Sequence, residues 1–288
     1  MTTKTFTNTG ILKKASSLIF KKHICLIGEK GNGKTYGVTK FASDNKIPTV
    51  FLVGHEGIEA RDMLGYIKPS VDGTFTYKYG QLSQAFKMAC DKPTILIIDE
   101  MLRIPKHELS VLVGALTPDS DGNLNLNTGN SVKLGDNYID EVVSIPAKNL
   151  WVVATTNYGA EYGITHIEEA LKDRFRFVYH ELSLKEQKDI IAKVVADEGW
   201  SKNLTDKLLN LVKEVNQLVA EQKLGSNLNI RQIVECLTIP DDKTMVALAG
   251  QLVLLDQAIC LLTDQGRANG SQQELYFKAI QDSLGLTL

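Results

Sequence analysis

Residues 28–35 read Gly28-Glu29-Lys30-Gly31-Asn32-Gly33-Lys34-Thr35. The spacing Gly-x-x-x-x-Gly-Lys-Thr is that of a phosphate-binding loop. Glycines let the backbone turn tightly and aim successive N–H groups at phosphate oxygens, so Gly28, Gly31, Asn32 and Gly33 are the expected cradle. Lys34 is placed to reach the β- and γ-phosphates, and the Thr35 hydroxyl to ligate Mg2+. Just before the loop, His23–Ile27 is a short apolar run suited to a strand. Just after it, Val38, Phe41 and Ala42 recur at helical spacing, and a helix starting there points its N-terminus at the phosphates.

A second stretch supplies the acids that such a loop needs. Thr94-Ile95-Leu96-Ile97-Ile98-Asp99-Glu100 is a β-type apolar run ending in two carboxylates. Ligands of open α/β sheets bind at the carboxyl ends of the strands. Asp99 there can hold Mg2+, directly or through its water, and Glu100 can polarise a water toward the γ-phosphate. Taken alone, the stretch also reads as a strand running into a solvated acidic turn, the less favoured of the two readings; the upstream loop strengthens the case for a site that binds ATP and Mg2+.

Outward from these motifs, short Val/Ile/Leu/Phe-rich runs alternate with helix-type patterns. The strand candidates are His23–Ile27, Thr49–Val53, Thr94–Ile98, Leu150–Ala154 and Phe175–Tyr179. Buried parallel strands have that composition, so the expected fold class is α/β with a parallel sheet. After Leu182 the pattern becomes helical, with candidates over Ser183–Asp197, Leu204–Gln222, Leu228–Leu237, Met245–Leu262 and Gln272–Leu284. The expected domains are therefore 1–182, an α/β nucleotide-binding domain, and 183–288, an all-helical one. Two interruptions of the first, near 66–80 and 119–146, read as inserted hairpins. The second is rich in Asn, Asp and Gly, so it is expected to face partners and add nothing to the core.

The chain has 288 residues, 43% hydrophobic, and a formal net charge of −2. That balance argues against a nucleic-acid-coating surface. Lys13, Lys14, Lys21 and Lys22 cluster, but such runs usually form a solvated helix face. Cys25, Cys90, Cys236 and Cys260 show no CxxC pair and sit in apolar runs; they read as reduced core thiols in a cytoplasmic setting. The first ten residues lack an apolar signal region. Met245–Leu262 is broken by Gln251, Asp256 and Gln257, so no membrane span is expected.

Taken together, these residues resemble the AAA+ ATPases, and within them the MoxR/CbbQ-like, helix-2-insert group. Gly28–Thr35 resembles Walker A, Ile95–Glu100 Walker B, and Trp151-Val-Val-Ala-Thr-Thr-Asn157 the sensor-1 strand. The resemblance implies a P-loop parallel-sheet sandwich with a C-terminal helical lid. It implies that Asn157 orients the hydrolytic water with Glu100, and that Arg174, in Asp173-Arg174-Phe175, reaches a neighbouring subunit's site as an arginine finger. It makes Glu161-Tyr162-Gly163 part of the segment leading to that arginine, and Leu228-Asn-Ile-Arg231 the sensor-2 helix. It further implies a homo-oligomer, most readily a hexameric ring. Asn157 also reads as an ordinary turn residue, and Arg174, Arg176 and Arg231 as solvated charges. Arg231 lies near a helix start, with Ser226 and Asn227 as candidate caps; the helix dipole does not favour a cation there, and a phosphate partner would account for it. The family's Asn in Asp-Glu-Ile-Asn-Arg is absent here, where Asp99-Glu100-Met101-Leu102-Arg103 stands; Arg103 remains as an intersubunit candidate. Three roles stay open: a ring ATPase remodelling a separately encoded protein or adaptor, a DNA- or RNA-handling ATPase, and a nucleotide-controlled assembly protein with little turnover.

Overall fold

The structure is a computed structural model, and it describes residues 22–157, 169–224, 227–238, 274–275, 278–280 and 282–283. The chain divides into two compact units. One holds the strand and loop up to Glu29 and then Lys34–His180; the other holds Lys30–Gly33 and the described part of Glu181–Leu288. In chain order the first contains β1 (His23–Ile27), α1 (Lys34–Asp44), β2 (Thr49–Val53), α2 (Ala60–Leu64), β3 (Gly65–Pro69), β4 (Phe75–Tyr79), α3 (Gln81–Asp91), β5 (Thr94–Asp99), α4 (Lys106–Ala115), β6 (Asn123–Leu134), β7 (Asn137–Pro146), β8 (Leu150–Thr156), α5 (Glu169–Arg174) and β9 (Phe175–Tyr179).

Five of these strands form one parallel sheet in the order β2-β5-β8-β1-β9. Side chains alternate between its faces, as period-2 geometry requires. Ile24, Leu26, Ile95, Ile97, Trp151 and Val153 pack with Val38, Phe41 and Ala42 of α1, where Phe41 meets Trp151 edge-on at 5.9 Å between ring centroids. Cys25, Leu96, Ile98, Val152 and Ala154 point the other way, into a second cluster with α3 and α4. This is the α/β sheet with flanking helices that the apolar runs imply. Strands β5 and β8 run one and two residues beyond the expected ends. Thr155 and Thr156 stay buried in the strand because their hydroxyls find partners there.

Two antiparallel hairpins, β3–β4 and β6–β7, stand apart from the sheet. The expectation that 119–146 adds nothing to the core is wrong. Leu124 and Leu126 from β6, and Val143 and Ile145 from β7, belong to the core cluster beside α3 and α4. The polar Asn residues of Asn-Leu-Asn-Leu-Asn occupy only the outward face of a strand whose leucines face in. Glu141, its side chain 15% exposed, ties the hairpins together. It accepts from Lys87 Nζ at 2.8 Å, Tyr79 Oη at 2.7 Å and Thr128 Oγ1 at 2.8 Å. Burial alone would raise its pKa, but these hydrogen bonds outweigh that and bring it down to about 2.

The helical unit contains α6 (Leu184–Asp197), α7 (Leu204–Ala220) and α8 (Ile230–Thr238) around a core that includes Ile191, Val195, Leu208, Leu211, Val215 and Ile233. Ser183 and Glu186 form a reciprocal capping box at the start of α6. Met245–Leu262 and part of Gln272–Leu284 lie outside the described residues, as do Lys13, Lys14, Lys21, Cys260 and the Cys236 side chain. No described helix is long and apolar enough to cross a membrane. Cys25 is buried, and burial pushes its thiol pKa up. Cys90 departs from the core-thiol expectation: it is on the exposed side of α3, because Ala85, Phe86 and Ala89 fill the inner face.

His23 opens β1 with its ring 5.7 Å from that of Phe175, and its Nδ1 accepts the Val152 N–H at 3.1 Å. Burial lowers its pKa from 6.5 to about 4. As pH falls between those values the unfolded chain takes up a proton that the folded chain refuses, so stability present at neutral pH is lost on acidification. His23→Gln removes this linkage. Across the window from pH 6.5 to about 4, the wild type should lose roughly 1–3 kcal/mol more stability than the variant. Urea melts at several pH values measure this, and parallel pH profiles would rule it out.

Candidate functional site

Three adjacent strands, β5, β8 and β1, all end on the same edge of the sheet. Each delivers polar groups there: Asp99 and Glu100 from β5, Thr155, Thr156 and Asn157 from β8, and the loop that starts at Gly28 from β1. Inside that loop Gly31 and Gly33 have φ of +89° and +70°, a region where glycine is at ease. Gly28 is needed for another reason. The His180 N–H donates to Ile27 O at 2.6 Å, and a Cβ on Gly28 would sit 2.2 Å from the His180 carbonyl oxygen.

Lys34 and Asn157 are each 7% exposed. The Lys34 ammonium donates to Gly28 O, Glu29 O and Asn157 Oδ1, each at 2.8 Å. The Asn157 amide nitrogen in turn donates to Glu100 Oε1 at 2.7 Å. Thr35 Oγ1 donates to Asp99 Oδ1 at 2.6 Å, and Thr155 Oγ1 donates to the same oxygen. The structure thus brings Lys34, Thr35, Asp99, Glu100 and Asn157 into one connected set. Asn157 is a bridging amide here and not merely a turn residue.

Asp99 ends its strand, whereas Glu100 stands just past it in a left-handed conformation, φ 54° and ψ 43°. Such a residue costs of order 1–3 kcal/mol and persists only where its surroundings hold it. One neighbour holds it and another leaves it room. The Glu100 N–H donates to Thr155 Oγ1 at 3.4 Å, and a Cβ on Gly54 would lie 2.4 Å from Glu100 O. Neither Thr155 nor Gly54 was singled out from sequence. The signal for Thr155 was present, since two threonines close an otherwise apolar buried strand. Gly54 gives no sign of its role without the strand order.

The remaining candidates stand outside this set. Arg174 ends α5 half-buried, its guanidinium donating to Thr117 Oγ1 at 2.9 Å and lying 3.7 Å from Asp173. Arg176 and Arg103 are exposed, and residues 158–168, including Glu161-Tyr162-Gly163, lie outside the described set. In the helical unit Arg231 is the exposed second residue of α8. Ser226 lies outside the described residues, and Asn227 is not the cap. Asn229 holds that place: its N–H donates to Gln232 Oε1 at 3.0 Å and its Oδ1 accepts from Gln232 N–H at 3.1 Å. Asn216 of α7 fixes the turn by bonding both the N–H and the C=O of Leu228.

Gly54→Ala should destabilise the fold by about 1–3 kcal/mol, because backbone and not a mobile side chain blocks the new methyl. Gly114→Ala, inside α4 where a Cβ meets nothing within 4 Å, should instead stabilise by about 0.4–1 kcal/mol. Chemical denaturation of both variants decides it; equal effects would show that the close approach at Gly54 is not a constraint.

A family model described as the AAA domain of the dynein-related subfamily matches residues 23–175. No curated protein matches the chain. The match runs from the first residue of β1 to the first of β9, more than half of the 288 residues, and takes in the whole connected set around Lys34. The chain therefore belongs to the AAA domain family, dynein-related subfamily, and is an ATPase of the AAA+ type.

Proposed function

We propose that the chain hydrolyses ATP with Mg2+ at the edge formed by β1, β8 and β5, and uses the turnover, as a ring of identical subunits, to remodel a separately encoded protein. The observation that carries the first half is the line of hydrogen bonds from Lys34 through Asn157 to Glu100. It joins the group that would bind phosphate to the group that would activate water. The Thr35 hydroxyl and the Asp99 carboxylate are hard oxygen donors side by side, a set that suits Mg2+. Mg2+, when bound, supplies charge that offsets what develops on the phosphate oxygens.

The residues would act as follows. Lys34 exchanges its carbonyl and amide partners for the β- and γ-phosphate oxygens. Gly28, Gly31, Asn32 and Gly33 offer backbone N–H groups to the phosphates. Glu100, held by the Asn157 amide, draws the proton of an attacking water. Arg174, outside its own subunit's set, is the candidate to complete a neighbour's site. Such head-to-tail contact closes into a ring, a hexamer on the family's pattern. Arg231 is the candidate for a nucleotide contact from the helical unit. The two hairpins support the finer likeness to the MoxR/CbbQ group, and a cytoplasmic setting follows the reading of the thiols as reduced.

A protein partner is favoured by what the hairpins expose. Ile67 and Phe75 on the first, and Leu134 and Tyr138 on the second, are 66–74% exposed. Across 119–146, Lys133 stands alone against Asp119, Asp121, Asp136, Asp140 and Glu141. A phosphate backbone calls for the opposite charge.

Lys34→Ala should abolish tight ATP binding, whereas Glu100→Gln should bind ATP and lose turnover by about 100-fold or more. The ATP-bound Glu100→Gln protein should also assemble into a closed ring. Nucleotide binding, phosphate release and light scattering read these out; normal hydrolysis by Glu100→Gln refutes the assignment of the acid. Replacing 132–139, the tip of the second hairpin, with a tight turn spares Leu124, Leu126, Val143 and Ile145. Basal hydrolysis should stay within a few-fold, and stimulation by the protein partner should vanish. Salt-sensitive stimulation by DNA that survives the replacement would favour the nucleic-acid role instead.

A further inference from the structure

We propose that Thr155 is the positioning residue that sets both acids of the site at once, through a single hydroxyl. This rests on the reading of Asp99 and Glu100 as the metal-side and water-side acids. The Thr155 hydroxyl has one hydrogen, and it goes to Asp99 Oδ1. Its lone pair faces the Glu100 N–H at 3.4 Å. The donor direction therefore fixes the Asp99 carboxylate, and the acceptor direction fixes the peptide that carries Glu100 into its left-handed turn, φ 54°.

Thr35 also donates to Asp99 Oδ1, but the two hydroxyls are not equivalent. Thr35 stands half-buried at the start of α1, on the loop side of the site. It is the hydroxyl that Mg2+ would recruit through an oxygen lone pair, so it would serve the metal as well as Asp99. Thr155 is 1% exposed, in a strand buried along its whole length, and has nowhere else to turn. Of the two hydroxyls on Asp99, Thr155 is the one that a metal would leave untouched. The grip on Glu100 is likewise two-sided: Thr155 accepts from its N–H, and the Arg103 N–H donates to its carbonyl at 2.9 Å, in space that Gly54 leaves open. Removing the Thr155 hydroxyl leaves Asp99 with the Thr35 contact alone and loosens the turn that carries Glu100.

Thr155→Val keeps the shape and the strand preference while deleting the hydroxyl; Thr155→Ser keeps the hydroxyl and loses a methyl. Partners of this kind behind a metal site change metal affinity or activity by about 10–100-fold when removed. Thr155→Val should therefore lower kcat about 10–100-fold with a smaller change in KM. The Mg2+ concentration at which a non-hydrolysable ATP analogue raises the melting temperature should rise several-fold. Binding of the same analogue without Mg2+ should be unchanged. Thr155→Ser should recover both kcat and the Mg2+ midpoint. Unaltered kcat and Mg2+ midpoint in Thr155→Val overturn the proposal. So does equal impairment of Thr155→Ser, which would assign the loss to packing. Glu100→Gln, run in parallel, separates the levels: if it hydrolyses ATP normally, the underlying site reading falls and this inference with it. If it is inert while Thr155→Val behaves as wild type, only the role of Thr155 falls.

Discussion

A buried lysine ammonium needs partners, and the way Lys34 finds them organises the rest of the site. An isolated charge in a protein interior costs several kcal/mol unless it is paired and hydrogen-bonded. Its partners include two carbonyls of its own loop and Asn157, which lies just past β8 and 123 positions away in sequence. That contact exists because β8 lies directly beside β1, with Ile27 opposite Thr156. The far side of Asn157 reaches Glu100 because β5 flanks β8 in turn, with Ile98 opposite Ala154. A slip of one residue in either pairing would turn the threonines and the acids to the wrong face. Burial of every residue of β8 holds the register that the chemistry requires.

Much of this was legible in the sequence, for identifiable reasons. The phosphate loop announces itself because its requirements are local, a fixed spacing of glycines, lysine and threonine between a strand and a helix. The sheet strands announce themselves because strands buried on both faces are apolar throughout. Asp99 and Glu100 stand out as paired charges at the end of such a run. The illegible parts depend on which strands become neighbours. The link of Thr155 to both acids, and the close fit of Gly54 against Glu100, follow from the order β2-β5-β8 and leave no trace in any one segment. The inward leucines of β6 were visible as alternation, but asparagine at every second place made the stretch read as polar. The cap of α8 was misplaced by two residues because Ser, Asn and Asn crowd the same turn, and only the reciprocal bond with Gln232 decides among them.

The hairpins follow a different economy from the sheet. Between them the central tie is a carboxylate, Glu141, fed by an ammonium, a phenol and a hydroxyl from three separate elements, with Tyr77 Oη donating to Thr128 O and Asn130 Nδ2 to Tyr79 Oη beside it. Lys87 also lies over the Tyr79 ring at 4.2 Å, so cation, ring and carboxylate reinforce one another. Paired this fully, a mostly buried charge becomes specific: no other register of the two hairpins supplies the same donors.

The second hairpin is also divided along its length. Up to Asn127 its strands pair from Val142 onward; beyond a register shift they pair again from Ser131 with Asp140. Below the shift lie the core leucines, at it lie Thr128 and Glu141, and above it lie the exposed Leu134 and Tyr138. Selection therefore acts on three unlike segments of one element. The lower part is constrained by packing, the middle by the polar tie, and the tip by neither. Across a lineage the tip is free to drift in length and sequence while the nucleotide chemistry beneath it stays as it was.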